Sequence, residues 1–525
     1  MLLLHHTLQW PSQEPRLSLN RCPPLTVHFQ MLYVSYIYVL LVEVPKDVWP
    51  RLVSQKLTQI KVICEFSPQA SQAEVQNQDV KTKALHHMIE YLSMKTEGLL
   101  IESNYPVLID AFVRNVLRPL PPATNPEGDE FDPEEDEDVL EPSWPHLSLV
   151  YDMFVKFLEL PDFNANVAKK YVDQAFIFRL MVLFDGEDPR ERDLVKTTIH
   201  RVYGKFLHLR PVIRRIMRSI FMEVICEGQR HKIAEMLEIL GSVINGFALP
   251  IREEHRIFLE KALVPLHKAK TLPCFFQQLC FCITQFVEKD PSMSQLIVPG
   301  LLKIWPKTNT TKEVLFLSEL EEILLRLEPE EFEFLAEAVF ERLGKCIASQ
   351  HFQVAEKALM FWHNEELMEL LISHHQQMIF ILSPYLFQQS ASHWSQNVRL
   401  LIVGVIHTFI QIDSGLFERC ANDFARHHPD AYEASRAEIA KMIENQNSHA
   451  QPQPNLALPQ PMEISSDDST SMNSQSDSDD HLLHPMASPG RSVRRKSVLP
   501  VDIETAAVLA SYRPSPPPEP LPGED

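Results

Sequence analysis

Between His200 and Met222 the chain carries six Arg or Lys residues and no Asp or Glu, although the 525-residue protein has a formal net charge of -21. Guanidinium groups hold carboxylates and phosphates through paired N–H donors, so a dense cationic band on an acidic protein points to anion recognition. At helical spacing, His200, Arg201, Lys205 and His208 share one stripe, and Leu194, Ile199, Val202, Phe206 and Leu209 form the apolar side. The following helix brings Arg214 and Arg218 at i,i+4, and Arg252 and His255 open a helix one hairpin later. Ile239 and Val243, one turn apart, would line an apolar pocket beside these cations. Two readings of the band stay open on periodicity alone. It is a docking pocket for an acidic peptide, or a solvated helix face balanced by Glu191, Glu223, Glu253 and Glu254.

Other chemistry finds little support. The sequence has no Walker loop, GxGxxG, HExxH or GxSxG pattern. His86-His87, His374-His375 and His427-His428 are adjacent pairs, which diverge by about 100° on a helix and do not converge on a metal. None of the eight cysteines forms a CxxC pair, and Cys280 and Cys282 sit in an apolar helical run as buried free thiols. The expectation is a non-enzyme without metal or cofactor, in a reducing compartment. The net negative charge argues against nucleic-acid binding, whose affinity comes from neutralising phosphates.

The elements that must position the band are helical. Gly is scarce (13 residues), and Pro (40 residues) clusters near both ends or punctuates apolar runs. From about residue 48 apolar residues recur at three and four, as in Ile233, Met236, Leu237, Leu240, Ile244 and Phe247. Helices are predicted near 51–65, 82–97, 106–118, 146–159, 166–184, 191–209, 212–227, 231–247 and 252–269. They continue near 273–288, 292–304, 311–327, 329–349, 351–363, 365–372, 375–388, 393–412 and 414–444. Two helices and a turn occupy roughly 40 residues, the HEAT-type period. The expected fold is all-α, a HEAT-like solenoid of helical hairpins over residues 50–445 with a disordered C-terminal tail.

Three segments fall outside that pattern. Residues 1–49 form an atypical extension. Its apolar run within 22–42 opens on a Pro pair and is interrupted by His28 and Gln30, which disfavours a membrane span. The loop 120–142 holds ten acids between Glu127 and Glu141, among them Glu130, Asp132, Glu134, Glu135, Asp136 and Glu137. Residues 446–525 are rich in Pro, Ser, Asp and Gln, a composition that does not support a core. Within them Arg494-Arg495-Lys496-Ser497 is a basic cluster and a phosphosite pattern, and a phosphate on Ser497 would partly cancel its charge.

At these residues a resemblance emerges. LFDGEDPRERDLVKTTIHRVYGKFLHLRPVIRR (183–215) closely resembles the B-prime (B56-type) regulatory subunits of protein phosphatase 2A. So do EFDPEEDE (130–137), WPHLSLVYDMFVKFLELPDF (144–163), AEMLEILGSVINGFALPIREEH (234–255) and WPKTNTTKEVLFLSELEEIL (305–324). The likeness covers roughly residues 50–430. It departs over residues 1–49, and it is loose after Arg426. RRKSVLPVD (494–502) is similar to a basic Ser-containing tail element of some family members.

The resemblance implies a non-catalytic subunit of a heterotrimeric Ser/Thr phosphatase, with scaffold and catalytic subunits as partners. It also implies a groove for Leu-x-x-Ile-x-Glu motifs of substrates and action in signal transduction, and the cysteine usage suits cytoplasm and nucleus. In such a groove His200 and Arg201 would hold the motif Glu. Tyr203 and Arg210, with Arg214 nearby, would face an acidic or phosphorylated residue after the motif Leu. Ile239 and Val243 would receive the Ile, and Arg252 and His255 would favour acids downstream. Other members commonly have Lys where this chain has Arg252. The acidic loop would lie near the phosphatase partners. The alternative is a general α-solenoid adaptor or transport receptor unconnected to a phosphatase.

Overall fold

The computed structural model describes residues 49–95, 100–121, 140–227 and 233–449. Residues 1–48 of the predicted extension, the acidic loop with Glu130 to Glu137, and residues 450–525 of the predicted tail, with Ser497, lie outside the described residues, while Trp49 opens the first helix and residues 446–449 end the last. Among those described, every regular element is a helix, in agreement with the apolar spacing of three and four.

The helices follow as successive pairs: α1 (Trp49–Ile60) with α2 (Gln72–Ser93), α3 (Tyr105–Val116) with α4 (Trp144–Leu158), and α5 (Gln174–Val182) with α6 (Pro189–Lys205). Next come α7 (Arg210–Glu227) with α8 (Ala234–Asn245), and α9 (253–266) with α10 (Phe276–Lys289). Then follow α11 (Ser294–Lys303) with α12 (Thr310–Leu324), and α13 (Ala336–Ile347) with α14 (Phe352–Leu359). A short α15 (Glu365–Ser373) precedes α16 (His375–Ser392) and α17 (Gln396–Ile412), and α18 (Ser414–His427) and α19 (Pro429–His449) close the array.

Packing separates these helices into two layers. The even-numbered helices stack in order from α2 through α14, and α14 packs on α17. In the other layer α1 packs on α3, and α5, α7, α9, α11, α13 and α16 follow one on the next, with α18 and α19 against α16. This is an α-solenoid, in which each hairpin buries its apolar stripe between its neighbours. On α8 the stripe Met236, Leu237, Leu240 and Ile244 is buried to 1% exposure or less. Each such side chain contributes about 1.5–3 kcal/mol relative to leaving it in water.

The period is visible in side-chain contacts as well as in helix order. Arg192 meets Glu235, Lys196 meets Glu238, Lys357 meets Glu321, and Trp394 donates to the Gln350 carbonyl. These partners lie 43, 42, 36 and 44 residues apart, one repeat in each case.

Helix starts are fixed by side-chain caps. Asp188 caps α6 by accepting the Arg190 backbone N–H at 2.9 Å, and Asn309, Asn364 and Asp413 do the same for α12, α15 and α18. Each cap stabilises its helix by about 1 kcal/mol.

Several predicted boundaries need correction. The helix expected over 51–65 ends at Ile60, and the one expected over 82–97 runs from Gln72, capped by Ser71, to Ser93. The helix expected over 166–184 is interrupted: a single turn at Ala165–Ala168 is followed by irregular chain, and Asp173 starts α5 by accepting from the Phe176 N–H at 2.8 Å. The helix expected over 191–209 ends at Lys205, with a 3₁₀ turn at Leu207–Leu209. The span 329–349 divides into Pro329–Phe332 and α13. The span 414–444 breaks at His428, where Pro429 opens α19, because a proline fits the first turn and lacks the N–H a helix interior needs.

Candidate functional site

The cationic band is built where α6 faces α8. Arg192, Lys196 and His200 lie one turn apart on α6, and Glu235, Glu238 and Ser242 answer them on α8. Both series rise in residue number, so the two helices run parallel. The first rung is Arg192 Nε to Glu235 Oε1 at 2.7 Å, and the second is Lys196 Nζ to Glu238 Oε2 at 2.8 Å. The third is His200 Nε2 to Ser242 Oγ at 3.0 Å. Two rungs pair a cation with a carboxylate, and the third offers a hydroxyl where a carboxylate would complete the series.

Beside that rung stands Arg201, whose guanidinium meets Glu159 of the preceding repeat at 3.1 Å and stays 49% exposed. Ile239 and Val243 flank Ser242 on α8 and are buried at 2% and 8% exposure. This end of the α6–α8 contact therefore has an apolar floor, a guanidinium shared with Glu159, and a rung closed by a hydroxyl in place of a carboxylate.

Sequence comparison decides the family. The B56 family of protein phosphatase 2A regulatory B subunits matches residues 39–447. The chain belongs to the B56 family. It is 48% identical over 371 residues to the 56 kDa regulatory subunit delta isoforms of Oryctolagus cuniculus and Homo sapiens, matches that cover 70% of this chain. They span 63% and 61% of those relatives, less than two thirds of their length. The delta 1 isoform of Schizosaccharomyces pombe is 45% identical over 406 residues, covering 77% of this chain and 74% of the relative. A solved engineered protein aligns with 75% of this chain and 98% of its own at TM-score 0.27 and 12% identity, too slight a likeness to bear on the fold.

In this B56-family chain the candidate residues divide into three groups. His200, Arg201 and Arg252 are exposed, His200 already bonded to Ser242 and Arg201 paired with Glu159, so a ligand carboxylate would share or displace those contacts. Arg210 and Arg214 are committed to the scaffold. Arg210 lies over the Tyr203 ring at 5.1 Å and donates to the Tyr203 carbonyl at 3.0 Å. Arg214, 13% exposed, donates to the Tyr203 hydroxyl at 3.0 Å and meets Glu254 at 3.1 Å. Tyr203 is buried to 9% exposure between them. These two arginines hold the tyrosine in place and lend positive potential to its surroundings.

His255 is buried and stacks on Phe247, centroids 3.7 Å apart and planes within 5°. Burial first, then Arg214, pushes its pKa below the usual histidine value, although Glu254 opposes the shift. It is therefore a neutral ring at pH 7, able to hydrogen-bond an acid but not to contribute charge. His200 is also shifted down, by burial and then by Arg201.

The acids named as balancing the band behave differently from one another. Glu191 is buried at 2% exposure and bound by both guanidinium nitrogens of Arg118 at 2.7 Å and by the Tyr151 hydroxyl at 3.1 Å. It is turned into the core and does not screen the surface. Glu254 does pair with a band arginine. Two residues at the site escaped sequence reasoning, Ser242 and Glu159. The signal for Ser242 was present in the i, i+3, i+7 series Glu235, Glu238, Ser242, but reading it requires the α6–α8 register. No cluster of three potential metal ligands occurs among the described residues, and no described helix is long and apolar enough to cross a membrane.

Proposed function

We propose that this chain is the non-catalytic regulatory subunit of a protein phosphatase 2A heterotrimer and that it selects substrates by holding short motifs of the form Leu-x-x-Ile-x-Glu. The observation that carries the proposal is the incomplete third rung. A motif Glu arriving between His200, Arg201 and Ser242 supplies the carboxylate that Glu235 and Glu238 supply on the other rungs. Ile239 and Val243 lie beside it for the motif Ile, and the Arg210–Tyr203–Arg214 assembly extends the positive surface toward the motif N-terminus. Arg252 adds charge for acids downstream. Its family membership, and the naming of its relatives as phosphatase regulatory subunits, support scaffold and catalytic subunits as its partners.

The chain performs no chemistry in this reading. It raises the effective concentration of a phosphosite near the catalytic subunit by holding a nearby segment. A short extended peptide with few anchors binds at roughly micromolar Kd, about 8 kcal/mol. The acidic loop at Glu130–Glu137 faces the phosphatase partners, the tail with Ser497 carries a phosphorylation site, and the complex works in cytoplasm and nucleus. Affinity purification tests the core of the proposal. Wild type retains both phosphatase subunits and motif-bearing proteins, and Arg201→Ala retains the subunits and loses the motif-bearing proteins. Equal recovery of those proteins by wild type and variant would overturn the pocket assignment, and absence of both subunits would overturn the partner assignment.

A further inference from the structure

A second positive surface begins at the far end of α9, on the edge where the helices of the α1-containing layer hand over to their partners. From Lys261 to Thr311 the only acids are Glu288 and Asp290, at the C-terminal end of α10. The edge in question is at the opposite end of that 14-residue helix, about 20 Å away. There Lys268 and Lys270 follow α9, and Lys303 and Lys307 follow or end α11. All four are exposed, and none forms an ion pair with a described residue.

The two turns are adjacent and fixed. Lys312, buried in the first turn of α12, donates through Nζ to the backbone carbonyls of Lys268 and Ala269. Two residues before Lys307, Trp305 is 6% exposed and donates its indole N–H to Glu313 at 2.7 Å, turning that nearby acid inward. Arg342, from α13 of the next repeat, lies over the Trp305 ring at 5.1 Å. Its Nε is buried and meets no hydrogen-bond partner among the described residues. Glu341 beside it is taken by Lys345. The ridge thus spans three successive repeats, with unpaired ammonium groups on two and the half-buried Arg342 guanidinium, laid over Trp305, on the third.

We propose that this ridge is a second docking surface, which binds an extended acidic segment of a partner protein with carboxylates three residues apart. The spacing follows from packing. Neighbouring helices of one layer are about 10 Å apart, and an extended chain advances about 3.3 Å per residue, so acids at i, i+3 and i+6 meet cations on successive repeats. A polypeptide fits better than a nucleic acid or a membrane. The ridge is only about 20 Å long by the same packing distance, and a net charge of -21 repels large polyanions at long range.

The test uses the full chain and a labelled peptide, Gly-Glu-Ser-Gly-Glu-Ser-Gly-Glu-Gly, followed by fluorescence anisotropy at low and physiological salt. The peptide has no Leu or Ile, so success or failure here is independent of the motif groove. The expected result is binding that weakens with salt, falls at least tenfold in Lys270→Glu/Lys303→Glu/Lys307→Glu, falls severalfold in Arg342→Gln, and is unchanged in Arg201→Ala. These lysines are exposed, and circular dichroism of the triple variant verifies its fold. Binding unaffected by both the triple and the Arg342→Gln changes overturns the proposal. So does equal affinity for a peptide of the same composition with its three Glu residues adjacent. Tighter, competing binding of duplex DNA or phosphatidylserine vesicles overturns the choice of a polypeptide.

Discussion

Replacing Ser242 by Glu fills the open rung from within. A Glu at 242 occupies the place on α8 that Glu238 occupies opposite Lys196, whose ion pair spans 2.8 Å. The new pair with His200 and Arg201 sits at the surface, where such pairs are worth about 0.2–1 kcal/mol, so fold stability rises slightly or not at all. The effect on ligand is larger. A motif Glu at the same rung meets a carboxylate roughly 4 Å away. That repulsion is about 1 kcal/mol in bulk water and about 4 kcal/mol at the effective dielectric of a protein surface. A mid-range value of about 2 kcal/mol matches the loss expected on truncating a binding arginine and corresponds to roughly 30-fold in Kd. Ser242→Gln is the control, because it fills similar space without charge and can still hydrogen-bond His200. Isothermal titration with a Leu-x-x-Ile-x-Glu peptide is the assay. Binding by Ser242→Glu within twofold of wild type, or a loss in Ser242→Gln as large as in Ser242→Glu, would refute the open-rung assignment.

Three further outcomes follow from the same geometry. His200 is held below its usual pKa in the free chain, and an arriving carboxylate raises it, so peptide binding takes up protons and tightens as pH falls until the free chain is itself protonated; titration in buffers of different ionisation enthalpy measures this uptake, and zero uptake counts against contact with His200. His146 is buried at 3% exposure beside Thr82 and Gln78, and burial first, then Lys81, lowers its pKa to about 4. The unfolded chain binds that proton first, so stability is full above about pH 6.5 and is lost as pH falls toward 4, by about 3 kcal/mol in total; denaturant melts of wild type and His146→Gln should converge over that window, and parallel curves would contradict it. Gly344 on α13 sits under Tyr385 of α16 so closely that a Cβ would lie 2.5 Å from the ring, and Gly344→Ala should cost about 1–3 kcal/mol through overpacking, read as a lower thermal midpoint.

Much of this was legible in the sequence because one face of each helix must be buried. Period and residue chemistry together gave the helices, the hairpin length, and the exposure of His200 and Arg201. What was not legible depends on relations between repeats. Asp173 was not recognised as a cap because the apolar pattern runs on across it. The burial of Glu191 follows from Arg118, 73 residues away, which no local pattern reports. His255 falls at a position that reads as exposed, yet Phe247 on the preceding turn of chain supplies a flat surface that draws the ring inward. Ser242 matters only because α6 and α8 are parallel and in register, a fact of packing.

The rungs between α6 and α8 are also mechanical parts. In a solenoid each repeat touches only its neighbours, so the joint between two repeats bends as easily as its few cross-links allow. Arg192–Glu235 and Lys196–Glu238 brace one end of this joint with ion pairs, while at the other end, over the buried Ile199 and Val243, the polar link is a hydrogen bond between the neutral groups of His200 and Ser242. A carboxylate seated there would act as a splint, stiffening the hinge at one point along the spring and changing how far its two arms can flex toward or away from whatever they carry.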